Sequence, residues 1–131
     1  MRPDLRLYNR RILIVEDDYL QAFALRNELT DRGAEVIGPL GSLDLALQQT
    51  KLEQHIDAAV VDVSLGGEPA FSLVDELVQR DIPLMFSTGC GADVLPYRHQ
   101  HIHRCEKPMS AHSLAEALRD LLAGPAGTSQ S

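Results

Sequence analysis

A chain of 131 residues, 44% hydrophobic and 24% charged, has the length and composition of one soluble globular domain. Its formal net charge is -7 at pH 7 and its basic residues form no dominant run, which argues against nucleic acid as a direct partner. No apolar run approaches the roughly 20 residues that a membrane-spanning helix needs, so we expect no membrane insertion.

The two ends and the cysteines indicate the extent of the domain and its compartment. Residues 1–10 are polar and lack the apolar stretch of a secretory signal, so we expect an N-terminal extension before a domain over 11–123. Residues 124–131 have the composition of a disordered tail. Cys90 and Cys105 are too few for a disulfide framework, which favours a reduced, cytoplasmic location.

The first predicted strand, Arg11–Val15, is a compact apolar run that stops at three successive carboxylates. Asp18 stands where a capping residue is expected before a helix over about 19–32. Glu16 and Asp17 have no such role, and adjacent carboxylates repel one another unless a cation lies between them. Glu16 and Asp17 are therefore candidate metal ligands.

The central prediction concerns a short apolar run that ends in a carboxylate. A second strand at 34–38 and a helix capped by Ser42 come first. Ala58–Val61 then has the composition of a strand buried on both faces, as in a parallel sheet. Asp62 follows it directly, at the end of the strand where open α/β sheets place their ligand sites. Taken alone, Asp62 is equally well an ordinary turn residue.

The next segments predict a third helix and a fourth strand. Pro69 fits near the start of the helix, whose apolar stripe includes Leu73, Val74 and Leu77 at helical spacing. The strand at 84–87 leads into Thr88. The glycines and the proline in the segment that follows predict a short or irregular fourth helix.

A weaker fifth strand at 101–105 and a last helix, capped by Ser110 or Ser113, complete an alternation of strands and helices. This alternation predicts an α/β fold with a doubly wound parallel sheet and helices on both faces. The carboxyl ends of parallel strands meet at one edge of a sheet. The side chains expected to converge there are Glu16, Asp17, Asp62, Thr88 and Lys107. The carboxylate oxygens among these side chains are hard ligands, which suit Mg²⁺.

Over residues 10–123 the pattern resembles the receiver domain of two-component response regulators. Each motif alone is weak, but the ordered set is specific: Ile-Val-Glu-Asp-Asp, Val-Val-Asp, Ser-Thr-Gly and Glu-Lys-Pro. The resemblance implies a flavodoxin-like (βα)5 fold with a five-stranded sheet in the order 2-1-3-4-5. It further implies a stand-alone receiver that is phosphorylated on an aspartate, by position Asp62.

The resemblance also implies a mechanism. A sensor histidine kinase or a histidine phosphotransfer protein is expected to give its phosphoryl group to Asp62, with Lys107 contacting the phosphoryl group and Thr88 acting as the switch hydroxyl. The implied Mg²⁺ ligands are Glu16, Asp17, Asp62 and the backbone carbonyl of Ser64. We expect a signal through contacts with a downstream protein or in a homodimer, with no turnover of a small substrate.

Two departures from the family pattern bear on the switch. Receivers usually carry a proline soon after the acceptor, following a Leu or Met, whereas here Leu65 is followed by Gly66 and Gly67. We expect this loop to be more mobile. The usual aromatic switch position, three before the lysine, holds Arg104. Our hypothesis is that Arg104 moves between solvent and an acidic partner, or that the shortened fourth helix reports the switch.

Three alternatives fit parts of the sequence. A small Mg-dependent phosphatase with an aspartyl nucleophile would need a general acid two residues after Asp62, where Ser64 stands. A degenerate receiver that acts by binding alone would not need the intact set of site residues. A histidine and cysteine metal module has no recognised finger spacing, and its histidines are more simply a surface cluster on an edge. Its members would be Cys90, His99, His101, His103 and Cys105.

Overall fold

The fold is built on one five-stranded sheet, and the computed structural model describes residues 4–89 and 95–124 of the chain. The sheet strands are β1 (Arg11–Val15), β2 (Glu35–Leu40), β3 (Ala58–Val61), β4 (Leu84–Thr88) and β5 (His103–Glu106). They lie in the order β2-β1-β3-β4-β5, and every pairing between them is parallel. This is the flavodoxin-like order 2-1-3-4-5, so the predicted fold class is confirmed.

Helices cover both faces of the sheet. In the described ranges the α-helices are α1 (Tyr19–Asp31), α2 (Leu43–Leu52), α3 (Phe71–Gln79) and α4 (Ala111–Ala123). Helices α1 and α4 pack together on one face, and α2 and α3 on the other. A 3₁₀ turn, Tyr97–His99, lies in the described part of the segment predicted to hold a short or irregular helix. Among the helices that the structure describes, none combines the length and the apolar composition of a membrane-spanning segment.

The helix starts follow from local hydrogen bonding. Asp18, Ser42 and Ser110 each accept a hydrogen bond from the backbone N–H three residues further along, as capping side chains do. The last helix is therefore capped by Ser110 and not by Ser113. Gly33 follows α1 with a φ of 94°, a left-handed conformation that glycine adopts without a Cβ clash.

The hydrophobic core consists of two layers separated by the sheet. In β1, Leu13 and Val15 face α2 and α3, while Ile12 and Ile14 face α1 and α4. All of β3 is buried, because the strand is covered on both faces. This double cover explains why a central parallel strand is uniformly apolar and shows no alternation.

The second and fifth strands have boundaries that differ from the prediction. The second strand continues through Pro39 to Leu40, because β2 is an edge strand and a proline there removes no hydrogen bond from a neighbour. The fifth strand begins at His103 and not at residue 101. The N–H of Ile102 is bound to the carbonyl of His99 at 3.1 Å, so the chain leaves the 3₁₀ turn only at that point.

A small hairpin over residues 64–69 connects β3 to α3. Ser64–Leu65 pairs with Glu68–Pro69 in an antiparallel ladder across Gly66 and Gly67. Both glycines have a positive φ, 59° and 85°, as a type I′ turn requires. Pro69 is thus part of the hairpin, and α3 begins only at Phe71. The region expected to be a loop has regular structure, and its greater mobility stays a prediction.

The described part of the N-terminal extension packs against the end of α1. Leu7 is fully buried in the layer that α1 and α4 form. The Asp4 N–H donates to the carbonyl of Arg32 at 3.1 Å. The Arg32 guanidinium lies 3.3 Å from the Asp4 carboxylate and 2.8 Å from that of Glu116 on α4. Arg32 therefore connects the first described residues to the last helix.

Candidate functional site

Five polar side chains lie where the sheet strands end. Glu16 and Asp17 follow β1, Asp62 follows β3, Thr88 is the last residue of β4 and Lys107 follows β5. Because β1 and β3 are paired in register to their last residues, Glu16 and Asp62 are neighbours. The N–H of Lys107 donates to the carbonyl of Thr88 at 2.8 Å, which links the ends of β4 and β5. The fold thus brings the five predicted residues to one edge.

The ammonium group of Lys107 lies between two buried carboxylates. Its Nζ is 2.9 Å from Asp62 Oδ2 and 3.1 Å from Glu16 Oε1. Glu16 and Asp62 are only 7% and 6% exposed. Buried carboxylates are costly unless a positive charge compensates them, and one ammonium can balance only one of the two. The site therefore has an excess of negative charge.

The titration of Glu16 reflects this excess. Burial, together with repulsion from Asp62, raises the pKa of Glu16 to about 7, although hydrogen bonds from the Asp18 N–H and from Lys107 oppose the rise. For Lys107, burial alone lowers the pKa, but its hydrogen bonds to Asp62 and Glu16 raise the pKa above the ordinary lysine value. A further positive charge at this edge would stabilise the ionised form of Glu16.

Asp17 is the exposed member of the acidic group. One carboxylate oxygen from each of Glu16, Asp17 and Asp62 lies within 4.8 Å of the others. Asp17 Oδ2 also accepts a hydrogen bond from the Gly66 N–H at 2.7 Å. The Ser64 N–H donates to Asp62 Oδ1 at 3.1 Å, so the 64–69 hairpin bends back over the acidic group.

The donor set fits a divalent metal ion. All three side chains offer carboxylate oxygens, the hard ligands that Mg²⁺ prefers. Their spacing lets a single ion contact all three, and their charge exceeds what Lys107 can neutralise. The sequence-based expectation of an acidic pocket able to bind a metal therefore agrees with the geometry of the site.

The histidines and cysteines that could have formed a different metal module do not converge in the described part of the chain. His99 is buried, at 1% exposure, which corrects the expectation of a surface position. The Sγ of Cys105 is buried beside Met85. His101 and His103 are exposed. Cys90 lies outside the described residues.

Sequence reasoning missed the cause of His99 burial. Its Nε2 is 2.7 Å from Asp75 Oδ1 on α3, and Arg98 binds both carboxylate oxygens of Asp75 at 2.9 Å. The hydrogen bonds from Arg98 and then from His99 lower the pKa of Asp75 to about 2. This cluster fixes the 3₁₀ turn to α3. Its partners are separated by more than 20 residues, so no local pattern indicated the contact.

Sequence reasoning also missed the contact between Gly66 and Asp17. A signal for the hairpin was present, because two glycines between short runs are typical of a two-residue turn. Pro69 favoured a helix start over a second hairpin strand, and this competing signal hid the turn.

Comparison with known proteins gives matches among solved structures. No family model matches the chain, and no curated protein does. SdrG from Sphingomonas melonis Fr1 is 34% identical with a TM-score of 0.67, and the match covers 86% of this chain and 96% of that one. A response regulator receiver protein from Sinorhizobium medicae WSM419 is 23% identical with a TM-score of 0.70, over 88% and 95% of the two chains.

A third match has a higher structural score at lower identity. The REC domain of the PhyR response regulator from Erythrobacter litoralis has a TM-score of 0.77 at 17% identity, over 95% of this chain and 96% of that one. At such identity the PhyR and Sinorhizobium matches show the fold alone, whereas the similarity to SdrG extends to the sequence.

Proposed function

Since the chain belongs to the receiver domains of two-component response regulators, we propose that it accepts a phosphoryl group from a phosphohistidine onto Asp62. Its relatives support a phosphoacceptor role in two-component signalling. The observation that carries the assignment to Asp62 is its placement: a buried carboxylate at the end of the central strand, 2.9 Å from the Lys107 ammonium and beside two further carboxylates. We propose a protein–protein signal as the output.

The proposed reaction transfers a phosphoryl group from a histidine nitrogen of the donor to a carboxylate oxygen of Asp62. A carboxylate oxygen of Asp62 forms a bond to phosphorus while the bond from phosphorus to the donor's imidazole nitrogen breaks. The imidazole keeps the electron pair of that bond and takes a proton from water. The product is an acyl phosphate on Asp62, and the carboxylate returns when water takes the phosphoryl group.

The main obstacle is repulsion between an anionic nucleophile and an anionic phosphoryl group. Lys107 is proposed to contact a phosphoryl oxygen as a fixed positive charge, and its pairing with Asp62 at 2.9 Å supports this role. The residues proposed to hold Mg²⁺ are Glu16, Asp17, Asp62 and the backbone carbonyl of Ser64. When bound, Mg²⁺ supplies the positive charge that neutralises the reacting oxygens.

Thr88 is proposed as the switch residue. It is buried at the end of β4, next to the strand that Asp62 follows. Its hydroxyl would donate a hydrogen bond to a phosphoryl oxygen after transfer. Its carbonyl accepts from the Lys107 N–H at 2.8 Å, so a displacement of Thr88 would be passed to the end of β5.

The test is uptake of a phosphoryl group from acetyl phosphate. With Mg²⁺ present we expect the intact mass to rise by one phosphoryl group. We expect EDTA to abolish the gain and added Mg²⁺ to restore it, because three carboxylates would otherwise repel the phosphoryl group. An adduct that forms equally well in EDTA would contradict the metal role. Repeated turnover of p-nitrophenyl phosphate would support the phosphatase alternative instead.

The proposed partners follow from the same role. A sensor histidine kinase or a histidine phosphotransfer protein in the cytoplasm would be the donor. A downstream protein, or a second copy of the chain in a homodimer, would receive the signal. The residues proposed to form the domain are 11–123, with 1–10 and 124–131 as its flanking segments.

Arg104 provides a test of how the signal leaves the site. It is half-buried on the edge strand β5, and its Nη1 contacts the carbonyl of Gln100 only at 3.4 Å. If Arg104 turns towards an acidic partner, its side-chain Nε–H signal in the NMR spectrum should move when acetyl phosphate and Mg²⁺ are added. Arg104→Ala should remove that signal and leave phosphoryl uptake unchanged, because Arg104 has no contact with Asp62. An unmoved Arg104 signal would exclude the arginine as the reporter.

A further inference from the structure

The 64–69 hairpin forms backbone hydrogen bonds to two carboxylates of the acidic site. At its base, the Ser64 N–H donates to Asp62 at 3.1 Å. At its tip, the Gly66 N–H donates to Asp17 at 2.7 Å, a short bond between a backbone donor and a charged acceptor. Asp62 follows β3 and Asp17 follows β1. The hairpin therefore bridges the ends of two strands on which the acidic side chains are carried.

The contact at the tip depends on the backbone of the turn. A proline in place of Gly66 could not form it, because proline has no N–H. The φ values of Gly66 and Gly67, 59° and 85°, turn the chain so that the Gly66 N–H is directed at Asp17. A Cβ built on either glycine would meet no atom within 4 Å, so the glycines are needed for conformation and not for space.

The hydrogen bond leaves Asp17 able to bind a cation. A carboxylate has two oxygens, and the Gly66 N–H engages one of them. Asp17 is exposed, so without this bond its side chain would sample several rotamers. Hydrogen bonds to the outer side of a ligating carboxylate fix its orientation and raise metal affinity.

We propose that the 64–69 hairpin is the outer support of the cation site, with Gly66 as a positioning residue that orients Asp17 through its N–H. This inference rests on the proposed function, since the cation is the Mg²⁺ of phosphoryl transfer. Because linkage is reciprocal, a hairpin that strengthens cation binding is itself stabilised when the cation binds. The order of the hairpin would thus report whether the site is loaded.

A matched pair of substitutions at Gly67 tests the support without touching the donor. Gly67→Asn should keep the turn, because asparagine tolerates a positive φ, whereas Gly67→Val should strain it, because a β-branched residue does not. We expect Gly67→Val to lower Mg²⁺ affinity about tenfold or more, and Gly67→Asn to stay within about threefold of the native chain. Calorimetric titration with MgCl₂ gives the affinities, and thermal unfolding checks that both variants are folded.

The Gly66 amide gives a second readout that needs no Gly67 variant. In metal-free protein, Asp17→Ala should speed hydrogen exchange at the Gly66 amide and leave unchanged the exchange at the Gly33 amide, which is bound to the Thr30 carbonyl at 3.0 Å beyond the end of α1. In the native chain, Mg²⁺ should slow exchange at Gly66. The proposal would be overturned if Gly67→Val and Gly67→Asn bound Mg²⁺ with equal affinity. It would also be overturned if Asp17→Ala left the hydrogen-exchange rate of the Gly66 amide unchanged, or if the native chain bound no Mg²⁺.

These outcomes are separable from failure of the proposed function. If Mg²⁺ affinity depends on the hairpin but the chain takes up no phosphoryl group, the proposed role of the hairpin stands and the phosphoacceptor function is contradicted. If Asp62 is phosphorylated but the two Gly67 variants bind Mg²⁺ with equal affinity, the phosphoacceptor function stands and the proposed role of the hairpin is contradicted.

Discussion

Asp62→Asn should leave the chain unable to take up a phosphoryl group from acetyl phosphate. The substitution keeps nearly the same size and shape, so the fold should be retained. It replaces the anionic oxygen that would attack phosphorus by a neutral amide, and loss of a nucleophile lowers such rates by more than about 10³-fold. Intact mass measured in the presence of Mg²⁺ should show the unmodified chain alone.

The matched control is Asp120→Asn on α4. The side chain of Asp120 is 72% exposed and lies on a helix that contributes no member of the acidic group. This variant should gain a phosphoryl group as the native chain does. A phosphoryl adduct that persists in Asp62→Asn would show that another residue is the acceptor.

Lys107→Ala should slow phosphoryl uptake by about 10²–10³-fold at saturating Mg²⁺, since removing one preorganised charge from a transition state has effects of this size. The Lys107 ammonium lies 2.9 Å from Asp62 and 3.1 Å from Glu16, and its removal leaves the two carboxylates facing each other. The initial rate of adduct formation, followed by intact mass, measures the effect.

Lys51→Ala is the control for Lys107→Ala. Lys51 is exposed near the end of α2, which leads into the start of β3, whereas Asp62 follows the end of β3. Loss of a surface lysine should leave the rate unchanged. Magnesium affinity separates two causes of a slow reaction: Lys107→Ala removes a positive charge that competes with the cation, so its Mg²⁺ affinity should not fall. If Lys107→Ala took up the phosphoryl group as fast as Lys51→Ala, Lys107 would have no role in the mechanism.

The convergence at the site was predictable because two strong rules apply to it. Ala58–Val61 is uniformly apolar, which a strand shows when it is covered on both faces, and Asp62 comes directly after it. The carboxyl ends of parallel strands share one edge, so Glu16 and Lys107 had to approach Asp62 once the strands were correctly placed. The roles of these residues in chemistry stay predictions until the experiments above are done.

The parts that were not predictable depend on contacts between distant elements or on competing local signals. His99 is buried because Asp75, on another element, accepts its hydrogen bond. The turn at Gly66 had its own signal, but Pro69 is equally typical of a helix start. The continuation of β2 through Pro39 depended on β2 being an edge strand, which only the sheet order reveals.

The salt bridges of Arg32 have a consequence for how the chain folds during synthesis. Arg32 forms salt bridges with Asp4 and with Glu116 of α4. Leu7 is buried in the same core layer as Leu118 of α4. The first described residues therefore cannot reach their final environment until the last helix has left the ribosome. Although strands β1 to β3 are made early, we expect the nascent chain to become resistant to protease only once α4 has left the ribosome.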